Sequence, residues 1–274
     1  MEKKSEELLM YQNTRPIGVI DSGVGGLTVV RQLQRLLPGE DILFFGDSAN
    51  CPYGNRSADE IFSLSLRMLR YMESRDVKCV AIACNTISSL ADRLRPECPF
   101  PLISIIESGA DYIVREKLPS VGLLATEFTA NAGVYDARIH AQNPDCVVVS
   151  RGSADLAGLI DKGELNQSLI DEEITAQVDV ILSRAPVKDL VLACTHFPIV
   201  ADNFRRCFPQ LRLIDPAEQQ AIAVKNMLVY RTLTNPKTRG KLSIETSGEP
   251  EIYAALAGAL NLYGPDECSA VSLS

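Results

Sequence analysis

Val80-Ala81-Ile82-Ala83-Cys84-Asn85-Thr86 and Leu190-Val191-Leu192-Ala193-Cys194-Thr195-His196 follow one pattern: a short apolar run, Ala-Cys, then two polar residues. A run of four or five Val, Ile, Leu and Ala residues with no polar alternation reads as a strand buried on both faces. Working outward from the first stretch, similar runs lie at Ile17–Ile20, Asp41–Phe45, Cys79–Ala83 and Leu102–Ile106. Outward from the second they lie at Val121–Leu124, Cys146–Val149, Leu190–Ala193 and Leu211–Ile214. Matching starts are offset by 104 to 111 residues in all four cases, as expected of an internal repeat. Amphipathic segments such as Leu27–Leu37 and Ala58–Glu73 separate the runs, so strands alternate with helices and the sheets are parallel. The fold class is therefore α/β: two similar halves with mostly parallel sheets, related by a pseudo-two-fold axis, facing each other across a cleft.

The remainder reads as a helix at Ala217–Leu233, a strand at Leu242–Glu245, a helix at Glu251–Leu260 behind Pro250, and an edge strand at Ala270–Leu273. It is too small for a core of its own and should pack on one half. The expected division is an N-terminal extension at residues 1–15, a first α/β domain at 16–106 plus 216–274, and a second at 107–215.

The chain has 274 residues, 46% hydrophobic and 23% charged, with a net charge of −8. That balance argues against a nucleic-acid surface, which needs clustered Lys and Arg. No apolar run is long enough to span a membrane. The segment Met1–Arg15 lacks the apolar stretch of a secretory signal, which implies a cytoplasmic chain with reduced thiols.

Eight cysteines stand beside two histidines and no tryptophan. No two cysteines have CxxC spacing, which argues against a zinc knuckle or a dithiol redox pair. Ligands of parallel sheets bind at the carboxyl ends of the strands, so residues there carry the chemistry. In the first half these are Asp21-Ser22-Gly23-Val24-Gly25-Gly26-Leu27, the Gly46–Gly54 segment and Cys84-Asn85-Thr86. The second half offers Thr126-Glu127-Phe128-Thr129 and Cys194-Thr195-His196. The glycine-rich turn is no dinucleotide fingerprint, because Thr28 stands where glycine is required, and no Lys-Ser/Thr completes a phosphate loop. It suits a small anion such as a carboxylate. A free thiol has a pKa of about 8.5 and needs an activator, which His196 offers Cys194 and Asp21 offers Cys84. Cys79, Cys98, Cys146, Cys207 and Cys268 read as core filler, and His140 as a surface residue. Two activatable thiols across a cleft can remove a proton from one face of a carbon and return one to the other.

The segments Asp21–Thr28, Pro52-Tyr53-Gly54, Ala83–Thr86 and Cys194-Thr195-His196-Phe197-Pro198, in this order and spacing, resemble the glutamate racemases. The resemblance implies racemisation of L-glutamate to D-glutamate for peptidoglycan, without pyridoxal phosphate or any other cofactor and without metal. It implies that Cys84 and Cys194 are the proton donors and acceptors, assisted by Asp21 and His196. Asp21, Ser22, Tyr53, Gly54, Asn85, Thr86, Thr195 and His196 would hold the substrate, and Thr126 and Thr129 would line the pocket. A homodimer is implied as well. Asp161 stands where many members have Glu, Ser153 where Cys is common, and Cys51 where an apolar residue is usual; Cys51 is expected to be a cleft thiol open to oxidation or alkylation. Ser153–Ala157 resembles proteobacterial members, whose activator is a cell-wall precursor nucleotide. Two other readings are an aspartate or other amino-acid racemase on the same fold, and a thiol-based redox-sensing binding protein.

Overall fold

A computed structural model of the chain describes residues 13–161, 163 and 166–273. The expected extension at 1–15 therefore lies almost wholly outside the described residues. Six strands form one parallel sheet: β1 (Ile17–Asp21), β2 (Ile42–Gly46), β3 (Cys79–Ile82), β4 (Leu102–Ser104), β9 (Leu242–Thr246) and β10 (Glu267–Ala270). Their order is β10-β9-β2-β1-β3-β4. Between β4 and β9 in sequence, β5 (Ser120–Thr126), β6 (Val147–Ser153), β7 (Asp189–Ala193) and β8 (Arg212–Ile214) form a second parallel sheet in the order β6-β5-β7-β8. The first four strands of each sheet thus share one order, second-first-third-fourth. Each sheet reverses its winding between its first and third strands, where such sheets open a crevice for ligands.

Strand side chains sort by parity. Ile17, Val19, Cys79, Ala81 and Ala83 of the first sheet meet Val121, Leu123, Ala125, Val191 and Ala193 of the second in one shared core. Helices Leu27–Leu36, Ile105–Arg115 and Pro216–Tyr230 fill the space between them. Val80 and Ile82 point to an outer core under helix Ala58–Ser74, and Leu190 and Leu192 to another under Gln167–Arg184. Burial on both faces explains why these strands carry continuous apolar runs.

Among the boundaries that differ from the sequence expectation, three show their cause. The Leu102–Ile106 run stops as a strand at Ser104, whose hydroxyl accepts the Glu107 N–H at 3.3 Å and caps helix Ile105–Arg115. The helix expected to reach Leu233 ends at Tyr230, where Thr232 turns the chain with φ of 55°. The edge strand is Glu267–Ala270 rather than Ala270–Leu273, because Asp266 pairs with Leu242 through both its backbone and its carboxylate and sets the register. Val271 and Leu273 pack instead against the outer core of the first sheet.

Lys78, just before β3, is fully buried and pairs with buried Glu40. Its ammonium also donates to the Asn13 and Leu233 carbonyls at 2.8 and 2.9 Å, and Glu40 accepts the Asn235 N–H at 2.8 Å. This pair ties the entrance of the first strand to the segment behind helix Pro216–Tyr230. Removing one partner strands a buried charge, whereas removing both does not. Lys78→Met should therefore cost about 3–5 kcal/mol in urea unfolding, and Lys78→Met with Glu40→Leu should recover most of that loss.

Candidate active site

β1 and β3 lie side by side with Ile20 opposite Ile82, so the next turns bring Ser22 beside Cys84. The Ser22 hydroxyl stands 3.4 Å from the Cys84 Sγ. In the second sheet Ala125 is opposite Ala193, which brings Thr126 beside Cys194. Both thiols line one cavity of about 360 Å³, a size suited to a small metabolite. Ser22, Tyr53, Gly54, Asn85, Thr86, Thr126, Thr195 and His196 share its wall. Asp21 and Thr129 stand behind that wall.

The halves are clasped just below the cavity. The Asp21 carboxylate is wholly buried; it accepts the Gly23 N–H at 2.9 Å and the Thr195 hydroxyl of the other half at 3.1 Å. The turn after β1 comes so close to β7 that a Cβ on Gly25 would sit 2.5 Å from the Thr195 Oγ1 and 2.8 Å from its backbone carbon. Glycine is needed at Gly25 for this approach, not for a nucleotide. On the other flank, Thr86 Oγ1 lies 3.0 Å from Thr126 Oγ1, which donates to Thr129 Oγ1 at 3.0 Å.

The two thiols have unlike surroundings. Burial, with the Asp21 charge added, pushes the Cys84 thiol up to about 12. The sequence reading makes Asp21 the partner of Cys84; its charge acts on that thiol, and its hydrogen bonds are to Gly23 and Thr195. Burial also raises Asp21 itself, to about 6, against the pull of His196. On the other side, Cys194 Sγ lies 3.8 Å from His196 Nδ1, and His196 Nε2 lies 3.0 Å from Asp161 Oδ1. Burial disfavours the imidazolium, yet its bonds to Asp161 and Cys194 overcome that and raise His196 well above its ordinary value. Burial raises Asp161, but the bond to His196 and its charge, with the Val24 N–H and the Cys51 thiol, together hold it below its ordinary value. The shorter Asp thus reaches the imidazole and fixes which ring nitrogen faces the thiol.

Other residues depart from their sequence roles. The Tyr53 hydroxyl is committed to Asp47 at 2.6 Å, so this side chain contributes a ring face to the wall. Cys51 lines the cavity and bonds to Asp161, but burial and the Asp161 and Asp21 charges hold it protonated. Ser153 donates to Glu173 at 2.7 Å and accepts the Leu156 N–H at 3.0 Å, which starts the cavity-lining segment Ala154–Asp161. Of the five cysteines read as core filler, Cys79 and Cys146 are buried, whereas Cys98, Cys207 and Cys268 are only half buried. All eight are free thiols, and His140 is exposed as expected. Sequence reasoning missed Tyr135, whose hydroxyl donates to Asn85 Oδ1 at 3.0 Å across the domain boundary. No local pattern marks it, because its partner lies fifty residues away in the chain.

Residues 17–224 match the family model described as Asp/Glu/Hydantoin racemase. A glutamate racemase of Thermoanaerobacter pseudethanolicus is 34% identical over 253 residues, covering 90% of this chain and 94% of that relative. The crystal structure of glutamate racemase from Francisella tularensis in complex with D-glutamate superimposes with a TM-score of 0.87 at 29% identity, over 96% of this chain and 99% of that one. The Picrophilus torridus aspartate racemase shares the fold with a TM-score of 0.60 at 18% identity, over 81% of this chain. With its family model matched over most of its length and its paired strand-end thiols facing one cavity, the chain belongs to the Asp/Glu/hydantoin racemase family.

Proposed function

We propose that the chain racemises glutamate by two-thiol proton transfer, supplying D-glutamate for peptidoglycan. The observation that carries this reading is that Cys84 and Cys194, at matched strand ends of two facing sheets, line the same cavity. The glutamate preference is supported by curated relatives named glutamate racemase at 30–34% identity over most of the chain. One thiolate abstracts the α-proton, and the thiol across the cavity returns a proton to the opposite face. Charge develops on the α-carboxylate as the proton leaves. The hydroxyls of Ser22 and Thr86 and the Asn85 amide are cavity groups able to hold the substrate's carboxylates, and the Thr195 hydroxyl, whose proton goes to Asp21, is able to accept from its ammonium.

The resting site is polarised. A protonated Cys84 is poised as acid, and the His196 imidazolium gives the Cys194 side a second seat for the proton. When the reaction runs the other way, Cys84 must ionise against burial and the Asp21 charge. The proposal extends to a cytoplasmic chain, supported by its eight free thiols, and to a homodimer, which the family resemblance implies. It also takes in activation by a cell-wall precursor nucleotide, supported by the resemblance of Ser153–Ala157 to proteobacterial members.

In D2O, the product enantiomer should carry deuterium at the α-carbon. Cys84→Ser and Cys194→Ser should each lower kcat by about 10²–10⁴-fold, and full activity in either variant would refute the two-thiol mechanism. Initial rates with glutamate and aspartate side by side should favour glutamate clearly, and adding the precursor nucleotide to the same assay should raise them.

Asp21 links the site to stability. Its folded pKa is raised from 3.8 to about 6, so protonation favours the folded state. That contribution is fully present below about pH 3.8 and is lost as pH rises through about 6. Asp21→Asn is neutral throughout and should gain on the parent by on the order of 1–3 kcal/mol between pH 4 and pH 8 in urea unfolding. Its racemase activity should fall over the same range.

A further inference from the structure

The side-chain amide of Asn85 is buried at 2% exposure, yet its Nδ2 has no hydrogen-bond partner. A buried amide donor left unpaired costs about 1–3 kcal/mol, so it calls for a partner that the chain does not supply. Asn85 lines the cavity between the thiols. Its other end is held from behind: the Tyr135 hydroxyl donates to Oδ1 at 3.0 Å. Tyr135 comes from helix Val134–Gln142 of the second half and is 3% exposed. Its phenol sits in a slot where a Cβ on Gly109 would lie 3.1 Å from both the hydroxyl oxygen and the ring. Burial keeps that phenol protonated. A buried phenolic proton needs an acceptor, so the amide turns its oxygen to Tyr135, which leaves both Nδ2 protons unpaired in a residue that lines the cavity.

We propose that Tyr135 is a positioning residue: it fixes the orientation of the Asn85 amide so that Nδ2 meets a carboxylate of the bound amino acid. Without the phenol, the amide can turn and present its oxygen to that carboxylate, which repels the substrate. Because Tyr135 and Asn85 come from different halves, the donor is aimed only when the two halves are together. The inference rests on the reading that this cavity binds glutamate.

The test is a double-mutant cycle on the full chain with Tyr135→Phe, Asn85→Ala and their combination, measured as kcat and KM in both directions. Tyr135→Phe should raise KM for glutamate about tenfold while kcat changes by less than about threefold. In the Asn85→Ala background the same change should have no further effect on KM. A Tyr135→Phe variant with unchanged KM, or one whose KM effect persists without the Asn85 amide, would overturn the proposal. Thermal unfolding of Tyr135→Phe separates the two roles, since a merely structural tyrosine would lower Tm and leave the KM-to-kcat split unmoved. If the parent chain shows no racemase activity on glutamate, the proposed function fails; if the parent is active and the cycle is additive, only this inference fails.

Discussion

The Asp21 carboxylate, wholly buried and bonded to Thr195 of the opposite half, is the contact on which the site depends. It closes the base of the cavity where the first strand of one sheet meets the third strand of the other. The close approach of Gly25 to Thr195 leaves no slack there, so the separation of the two thiols is set by backbone packing rather than by flexible side chains. The same carboxylate raises the Cys84 thiol and is itself raised by burial. Structure, acidity and reactivity are therefore coupled through one residue, and the site carries a destabilising charge at its centre.

Around this clasp the two halves are equivalent in topology and unequal in chemistry. Each supplies a thiol after its third strand, but one is flanked by a neutral hydroxyl and a buried carboxylate, the other by an imidazolium held by Asp161. Equal halves bring groups to both faces of one carbon. Unequal neighbours give the two thiols different partners for the proton. A racemase must work in both directions, so the asymmetry lies in the neighbours, while both proton carriers are the same kind of residue.

Much of this was legible in the chain. Strands buried on both faces cannot alternate, so their apolar runs stood out, and repetition of four runs in order exposed the two halves. Boundaries were misjudged where one polar residue outweighed periodicity: Ser104 capped a helix inside an apolar run, and Asp266 set the register of the last strand. The five remaining thiols were harder, because whether Cys98, Cys207 and Cys268 are covered depends on which helix end lies over them.

The sequence by itself determined the α/β class, the doubled order of strands, and the placing of Cys84, Cys194 and His196 at strand ends, because these follow from local periodicity and chain order. Only the tertiary structure decided what each group does to its neighbour. It bonded Asp21 to Thr195, committed the Tyr53 hydroxyl to Asp47, raised the Cys51 thiol and brought Tyr135 behind Asn85. These outcomes depend on burial and on distances of about 3 Å between residues far apart in the chain, and hydrogen bonding and desolvation act only at that range.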